Sequence, residues 1–202
     1  MKQLHALGIL AEGKSAFITG PAGSGKTHVI NQFVRYARDN GKKVAVTAST
    51  GLAATHLGGN TIHSWAGIGI HDEVKKYMIA EMTKTRRDQI TNADILVIDE
   101  VSMLHDFRLD MVEEVCRKVR EDDRPFGGLQ VVFVGDFYQL PPITKDGPVK
   151  FAFQSPVWKE VVQETFQLKT ILRQRDPIFQ TILQEARVGE LSDESYEILL
   201  QI

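Results

Sequence analysis

Gly20-Pro21-Ala22-Gly23-Ser24-Gly25-Lys26-Thr27 follows the apolar run Ala16-Phe17-Ile18-Thr19 and opens a segment of helical periodicity. Glycines at this spacing let several backbone N–H groups turn into one concavity, which suits a chain of phosphates. Lys26 brings positive charge to the β- and γ-phosphates, and the Thr27 hydroxyl is a ligand for Mg²⁺. The pattern predicts a nucleoside triphosphate site made by Gly20, Pro21, Ala22, Gly23, Ser24, Gly25, Lys26 and Thr27 and continuing to His28. Further on, Ile95-Leu96-Val97-Ile98-Asp99-Glu100 is an apolar strand that ends in two carboxylates. Asp99 is the second expected Mg²⁺ ligand, and Glu100 is the group that orients and polarises an attacking water. A third strand, Val131-Val132-Phe133-Val134-Gly135, runs into Asp136-Phe137-Tyr138-Gln139-Leu140-Pro141-Pro142. The Gln139 amide both donates and accepts hydrogen bonds, so it can register a γ-phosphate, and the paired prolines stiffen the segment behind it.

These groups need a scaffold that brings strand ends together. Short β-rich runs at 16–19, 44–48, 95–98, 131–134 and 166–168 alternate with longer helical patterns, which predicts an α/β domain with a mainly parallel sheet and helices on both faces. The first helix carries Val29, Ile30, Phe33, Val34 and Ala37 on one face and stops at Asn40-Gly41. Residues 103–119 repeat the pattern with Leu104, Met111, Val112, Val115 and Val119 inward, and Cys116 lies near that face as a small core residue. Residues 121–128 form a charged, Pro- and Gly-rich loop, 73–90 reads as one amphipathic helix, and Ser192 is placed to cap a last helix.

Bulk properties narrow the classes. A chain of 202 residues, 43% of them hydrophobic, fits one sizeable domain. With a formal net charge of −2, any nucleic-acid contact must come from a local surface. One cysteine excludes an internal disulfide and any multi-cysteine metal site, in keeping with a reducing, intracellular setting. No apolar run of about 18 residues is present, so no membrane partner is expected. The compartment expected is the cytoplasm for a bacterial or phage protein and the nucleus or mitochondrion for a eukaryotic one.

The phosphate loop, Val46-Thr47-Ala48-Ser49-Thr50-Gly51-Leu52-Ala53-Ala54, Thr61-Ile62-His63-Ser64, the 94–103 and 135–142 segments and Leu172-Arg173-Gln174 with Asp176 stand in the order seen in superfamily 1B DNA helicases. The chain most resembles the PIF-type (petite integration frequency) helicases, relatives of the RecD-like helicases, and Phe153-Gln154-Ser155-Pro156-Val157-Trp158 is similar to the segment that follows motif III there. The resemblance implies the N-terminal RecA-like (1A) domain of an ATP-driven motor that moves 5′ to 3′ on single-stranded DNA and opens duplex or forked DNA ahead of it. Work in repair, recombination or telomere maintenance goes with it.

The resemblance also implies that Lys26, Glu100, Gln139 and the motif IV arginine, Arg173, serve ATP hydrolysis and that Gln3 reads the adenine. Thr47, Thr50 and Gly51 fall to the DNA backbone and His63 to a base, His63 also being open to a capping or core role. Residues 66–92 correspond to a short 1B insertion whose Lys75, Lys76, Lys84, Arg86 and Arg87 are open to two readings, phosphate contact or a solvated face. The strand ending at Gly135 is expected between the strand before the loop and the strand carrying Asp99. Nothing in the sequence matches motifs V and VI of a second RecA-like domain, so a missing C-terminal helicase domain in cis is expected. The other reading open at this point is a stand-alone, nucleotide-switched module that binds single-stranded DNA without unwinding it.

Overall fold

The computed structural model describes residues 3–144, 147–171, 174 and 176–201. Arg173, expected at the γ-phosphate, lies outside them. The chain runs α1 (Gln3–Ala11), β1 (Ala16–Thr19), α2 (Lys26–Asp39), β2 (Val44–Ala48), α3 (Gly51–His56), β3 (Asn60–Thr61), α4 (Ile62–Ala66), α5 (Lys76–Ala80), α6 (Lys84–Asn92) and β4 (Ile95–Asp99). It continues with α7 (Asp106–Arg120), β5 (Gln130–Gly135), α8 (Pro156–Val161), β6 (Glu164–Gln167), α9 (Pro177–Val188) and α10 (Asp193–Leu199).

The six strands form one sheet in the order β3-β2-β4-β5-β1-β6, and every ladder in it is parallel. The strand ending at Gly135 separates the one carrying Asp99 from the one before the loop, as the resemblance implies. Alternation along the strands splits the core into two layers. Phe17, Leu96, Ile98, Val131 and Phe133 face a cluster with Ile62, Trp65, Ile90, Leu109, Val112 and Trp158 from α4, α6, α7 and α8. Ala16, Ile18, Ile95, Val97, Val132, Val134 and Phe166 face the other cluster, with Ala6 and Leu10 of α1 and the predicted apolar face of α2. Burial on both sides is why these strands read as continuous apolar runs.

The helix predicted over 73–90 is two helices. α5 closes at Glu81, and Thr83 starts a new helix by accepting a hydrogen bond from the Arg86 N–H at 3.4 Å. A threonine at an N-cap outweighs the continued periodicity, because it supplies a partner for an N–H that the new helix leaves free. α7 starts at Asp106 because Val101–Met103 forms a separate 3₁₀ turn. Its Arg120 fastens the end of this layer by donating to the carbonyls of Ile90, Thr91, Ala93 and Gly127 at 2.6–2.9 Å. Ser192 caps α10 as expected, its hydroxyl accepting from the Ser195 N–H at 3.2 Å. Among the described residues five helices escaped the periodicity: α1, α3, α4, the six-residue α8 and α9, which opens at Pro177 behind the Asp176 cap. α3 and α4 are only 6 and 5 residues long and are capped by Thr50 and Thr61, while α1 is apolar nearly all round. Among the described residues, no helix is long and apolar enough to cross a membrane.

Candidate nucleotide site

The functional groups collect at the C-terminal edge of the strands, where open parallel sheets receive ligands. β1 ends at Thr19 and the chain turns sharply at Gly20 (φ 151°). A Cβ at Gly20 would meet the Leu168 carbonyl oxygen at 2.3 Å and Ser24 Oγ at 2.8 Å, so only glycine lets the loop pass beside β6. Gly25 precedes α2 in a left-handed conformation (φ 89°), and no side chain caps the helix. Its first N–H groups are therefore turned into the loop with no protein acceptor from a cap, a ready seat for an anion.

Inside this loop the Lys26 ammonium donates to the carbonyl oxygens of Gly20 at 2.7 Å and Pro21 at 3.1 Å. Burial lowers its pKa, against the opposing pull of Asp136, Glu100 and Asp99. Ser24 Oγ is buried and has no hydrogen-bond partner among the described residues. A buried hydroxyl without a partner costs free energy, and a phosphate oxygen entering the loop would relieve it. Thr27 and His28 are exposed on the first turn of α2, and Gln3 opens α1, which packs against α2.

β4 delivers the carboxylates. Asp99 is 9% exposed, and burial raises its pKa to about 6, with the neighbouring Glu100 charge adding to the rise while a hydrogen bond from the Glu100 N–H at 2.8 Å opposes it. Glu100 has a left-handed backbone (φ 53°, ψ 41°), which costs a residue with a side chain about 1–2 kcal/mol. Ser49, just past β2, holds that conformation. Its N–H bonds to the Asp99 carbonyl at 3.0 Å and its hydroxyl to the Glu100 carbonyl at 2.6 Å. A divalent cation suits this chemistry, since Mg²⁺ needs few protein oxygens beside water and phosphate, and it would keep the buried Asp99 ionised.

β5 leads to a pair absent from the expected site. Asp136 has no solvent exposure, and its carboxylate receives Arg187 Nε and Nη2 from α9, both at 2.8 Å. The same guanidinium lies 4.3 Å from the centroid of the Tyr138 ring. The Gln139 N–H bonds to the Asp136 carbonyl at 2.8 Å, so the glutamine expected at the γ-phosphate sits on a turn that this ion pair anchors. Asp136 stands three residues before Gln139 and could have been picked out as a strand-end acid. Arg187 lies 51 residues away with no local motif around it.

The residues expected at DNA are placed unequally. Thr47 is fully buried, and its hydroxyl donates to the Val97 carbonyl at 2.6 Å, which corrects its side chain from a phosphate contact to a stitch between β2 and β4. Thr50 caps α3, accepting from the Ala53 N–H at 3.3 Å, and Gly51 is exposed beside it with open space where a Cβ would lie. His63 is half-buried on α4. Burial lowers its pKa, and Arg108 and His105 push the same way, which favours the uncharged ring.

A strained acid after an apolar strand, a glycine loop opening a helix and the 61–64 segment on one parallel sheet agree with one family throughout. The model of the PIF1-like helicases matches residues 2–195. This chain belongs to the PIF1-like helicase family. It is 48% identical to the ATP-dependent DNA helicase Pif1 of Psychrobacter over 78% of its length and 25% of that protein. It is 40% identical to human ATP-dependent DNA helicase PIF1 over 96% of its length and 30% of that protein. The crystal structure of Candida albicans Pif1 superposes with a TM-score of 0.91 at 41% identity, covering 96% of this chain and 45% of that one. Bacteroides Pif1 in complex with ADP-AlF3 and single-stranded DNA gives 0.87 at 32% identity, covering 98% and 48%. The RecA-like fold of this PIF1-like chain thus follows its relatives closely, while the chain spans between about a quarter and a third of the curated proteins.

Proposed function

We propose that this chain is the ATP-binding 1A motor domain of an ATP-dependent 5′–3′ DNA helicase of genome maintenance. The observation that carries the reading is the meeting of Lys26, Asp99, Glu100 and the Asp136-anchored turn at one sheet edge, around a loop that opens α2 without a side-chain cap and whose buried Ser24 hydroxyl has no partner among the described residues. ATP would lie along residues 20–28, with Lys26 exchanging the Gly20 and Pro21 carbonyls for β- and γ-phosphate oxygens and Gln3 at the adenine. Thr27 and Asp99 would hold Mg²⁺, which supplies charge neutralisation on the phosphates. Glu100 then accepts a hydrogen bond from the attacking water, and Gln139 and Arg173 report on the γ-phosphate.

On this reading, residues 1–202 are one RecA-like unit with 66–92 as its 1B-like insertion. A second RecA-like domain in cis closes the cleft, in the compartment that holds the DNA. Thr50, Gly51 and His63 meet single-stranded DNA, including the loading strand of a fork. Backbone and hydroxyl groups hold phosphates without reading sequence, and a flat ring accepts any base.

The test is ATP binding and turnover by the purified chain, with and without single-stranded DNA, beside Lys26→Ala and Glu100→Gln. Expected are ATP binding lost in Lys26→Ala, retained in Glu100→Gln, and slow turnover. An arginine supplied across such a cleft is worth about 10³–10⁵ in rate. Undiminished nucleotide binding by Lys26→Ala sinks the site. Brisk DNA-stimulated turnover by the chain alone sinks the need for a second domain.

A further inference from the structure

The edge of the sheet beyond β2 is only half built. β3 pairs with Thr47 and Ala48, and no described strand lies outside Val44, Ala45 and Val46. In a parallel ladder successive residues turn their backbone groups to opposite sides. Lys43 turns toward β4: its N–H donates to Asp94 Oδ2 at 2.8 Å, and its carbonyl accepts from the Asp94 and Ile95 N–H groups at 2.9 and 3.2 Å. The N–H and carbonyl of Val44 and the N–H of Val46 therefore face outward, with no partner among the described residues. The slot ends at Gly59, which lies so close to β2 that a Cβ there would stand 2.1 Å from the Val46 carbonyl oxygen.

Both layers of the fold stop short of this slot. On one face a cavity of about 580 Å³ lies between β2 and α6, lined by Trp65, Asp88, Gln89 and Asn92. On the other a cavity of about 350 Å³ lies against Val46, between Val34 of α2 and Leu57. A gap open on both faces, with free main-chain groups along it, suits one extended strand whose alternate side chains enter the two cavities. Proteins commonly blunt such an edge with charge on the strand itself, and Val44, Ala45 and Val46 carry none. The charges stand around the gap instead. Arg38 lines both cavities, and its side chain makes no hydrogen bond or ion pair among the described residues. Asp39 beside it is taken by Arg35 at 3.9 Å. An acidic side chain thus meets attraction on the α2 face, while Asp88 repels one on the α6 face.

We propose that the open edge of β2 is a docking site for an extended peptide segment of a partner protein. The segment continues the sheet in line with β3, with an acidic side chain beside Arg38 and uncharged side chains toward α6. Val44 opens β2, so the site lies at the end of the strand away from the nucleotide groups, and both can be filled together.

The experiment begins with residue-resolved amide exchange of the purified chain. Val44 and Val46 should exchange far faster than Ala45 and Thr47, whose N–H groups face β4. Octapeptides are then selected on the chain from a random displayed library, and the consensus peptide is labelled for fluorescence anisotropy. It should carry an acidic residue and slow the exchange of Val44 and Val46. Val44→Pro, a ring that an edge position tolerates, should weaken binding about tenfold, on the scale of one main-chain hydrogen bond. Arg38→Glu should weaken it as well, with Arg38→Lys recovering most of the loss. If Val44→Pro does not fold, N-methylation of the peptide amides that face β2 gives the same readout, and a methylated peptide that binds like its parent overturns the proposal. So does a library that yields no binder, or binders that leave Val44 and Val46 unprotected. Protection of both amides that rises with the concentration of the chain alone would assign the edge to a second copy, and displacement of the peptide by oligo-dT would assign it to a nucleic-acid strand. Either outcome overturns the peptide.

Discussion

Arg187→Met should release α9 from the domain while leaving the sheet folded. Asp136 is fully buried, and both of its carboxylate oxygens are bonded to Arg187. Removing the arginine while α9 stays docked strands a buried charge, at a cost of about 3–5 kcal/mol. Against that, Ile182 is the buried apolar residue of α9, and full burial of one such side chain is worth about 1.5–3 kcal/mol. Undocking is the cheaper outcome, because it lets water reach Asp136. The assay is hydrogen exchange. Amides of α9 should exchange near the rates of an unstructured segment, while β1, β4 and β5 remain protected. Combining Arg187→Met with Asp136→Leu should restore much of the protection, since an apolar pair of similar volume can replace a buried ion pair at little cost. Wild-type protection of α9 in the single variant refutes the argument. A double variant as unprotected as the single one shows that the arginine stem, rather than the stranded charge, held the helix.

Three further outcomes follow from other positions. Asp99 has a folded pKa of about 6 against an ordinary 3.8, so without a cation the folded state prefers its neutral form; that stability is full below about pH 4 and is lost as pH rises through 6. Asp99→Asn should therefore stabilise the nucleotide-free protein by on the order of 2–3 kcal/mol at pH 8 and by almost nothing at pH 4, and equal urea midpoints at pH 8 would contradict this. Thr47→Val removes the hydroxyl bonded to Val97 O, so unfolding free energy should fall by about 1 kcal/mol with oligo-dT affinity unchanged; a loss of affinity would return Thr47 to the DNA contacts. Glu121 ends α7 in a left-handed conformation (φ 55°), so Glu121→Gly should raise the Tm by about 2–4 °C through roughly 1 kcal/mol of relieved strain, and a lowered Tm would count against it.

The nucleotide half of the site was legible because its chemistry is contiguous. A phosphate loop needs its glycines, lysine and threonine within eight consecutive positions, and a buried parallel strand must be apolar up to the acid that it presents. What escaped is what depends on distance or direction. Asp136 and Arg187 meet across 51 residues, and neither flank carries a pattern that would pair them. Thr47 and Thr50 look alike in sequence, but the pleat turns the first into the sheet and the second caps α3. The break at 81–83 was hidden because Met78 and Ile79 of α5, Met82 of the link and Ile90 of α6 all reach the same core. α3 and α4 are too short to display a helical period, although each begins at a threonine whose capping role a closer reading for N-caps would have caught.

On the proposed reading, short polar links at the edge of the sheet join the nucleotide groups to the candidate DNA groups. Ser49 bonds both to the carbonyl of Asp99 and to that of Glu100, and the next two residues, Thr50 and Gly51, start α3. Glu100 sits in a strained conformation, the kind of position that relaxes when a ligand changes its contacts. A shift there would pull on Ser49 and, through it, on the start of α3. From the end of β5, a shift at Gln139 would pass through Asp136 to Arg187 and α9. Two short polar links therefore join the candidate nucleotide site to two helices, one reached through β2, beside the strand that carries Asp99, and one through β5, between that strand and the one before the loop. If the chain is the motor domain proposed above, this matters more than any single affinity. ATP can bias the grip on a strand only through contacts that differ between the filled and the empty site, and these are the polar contacts that a phosphate entering beside Lys26 would disturb.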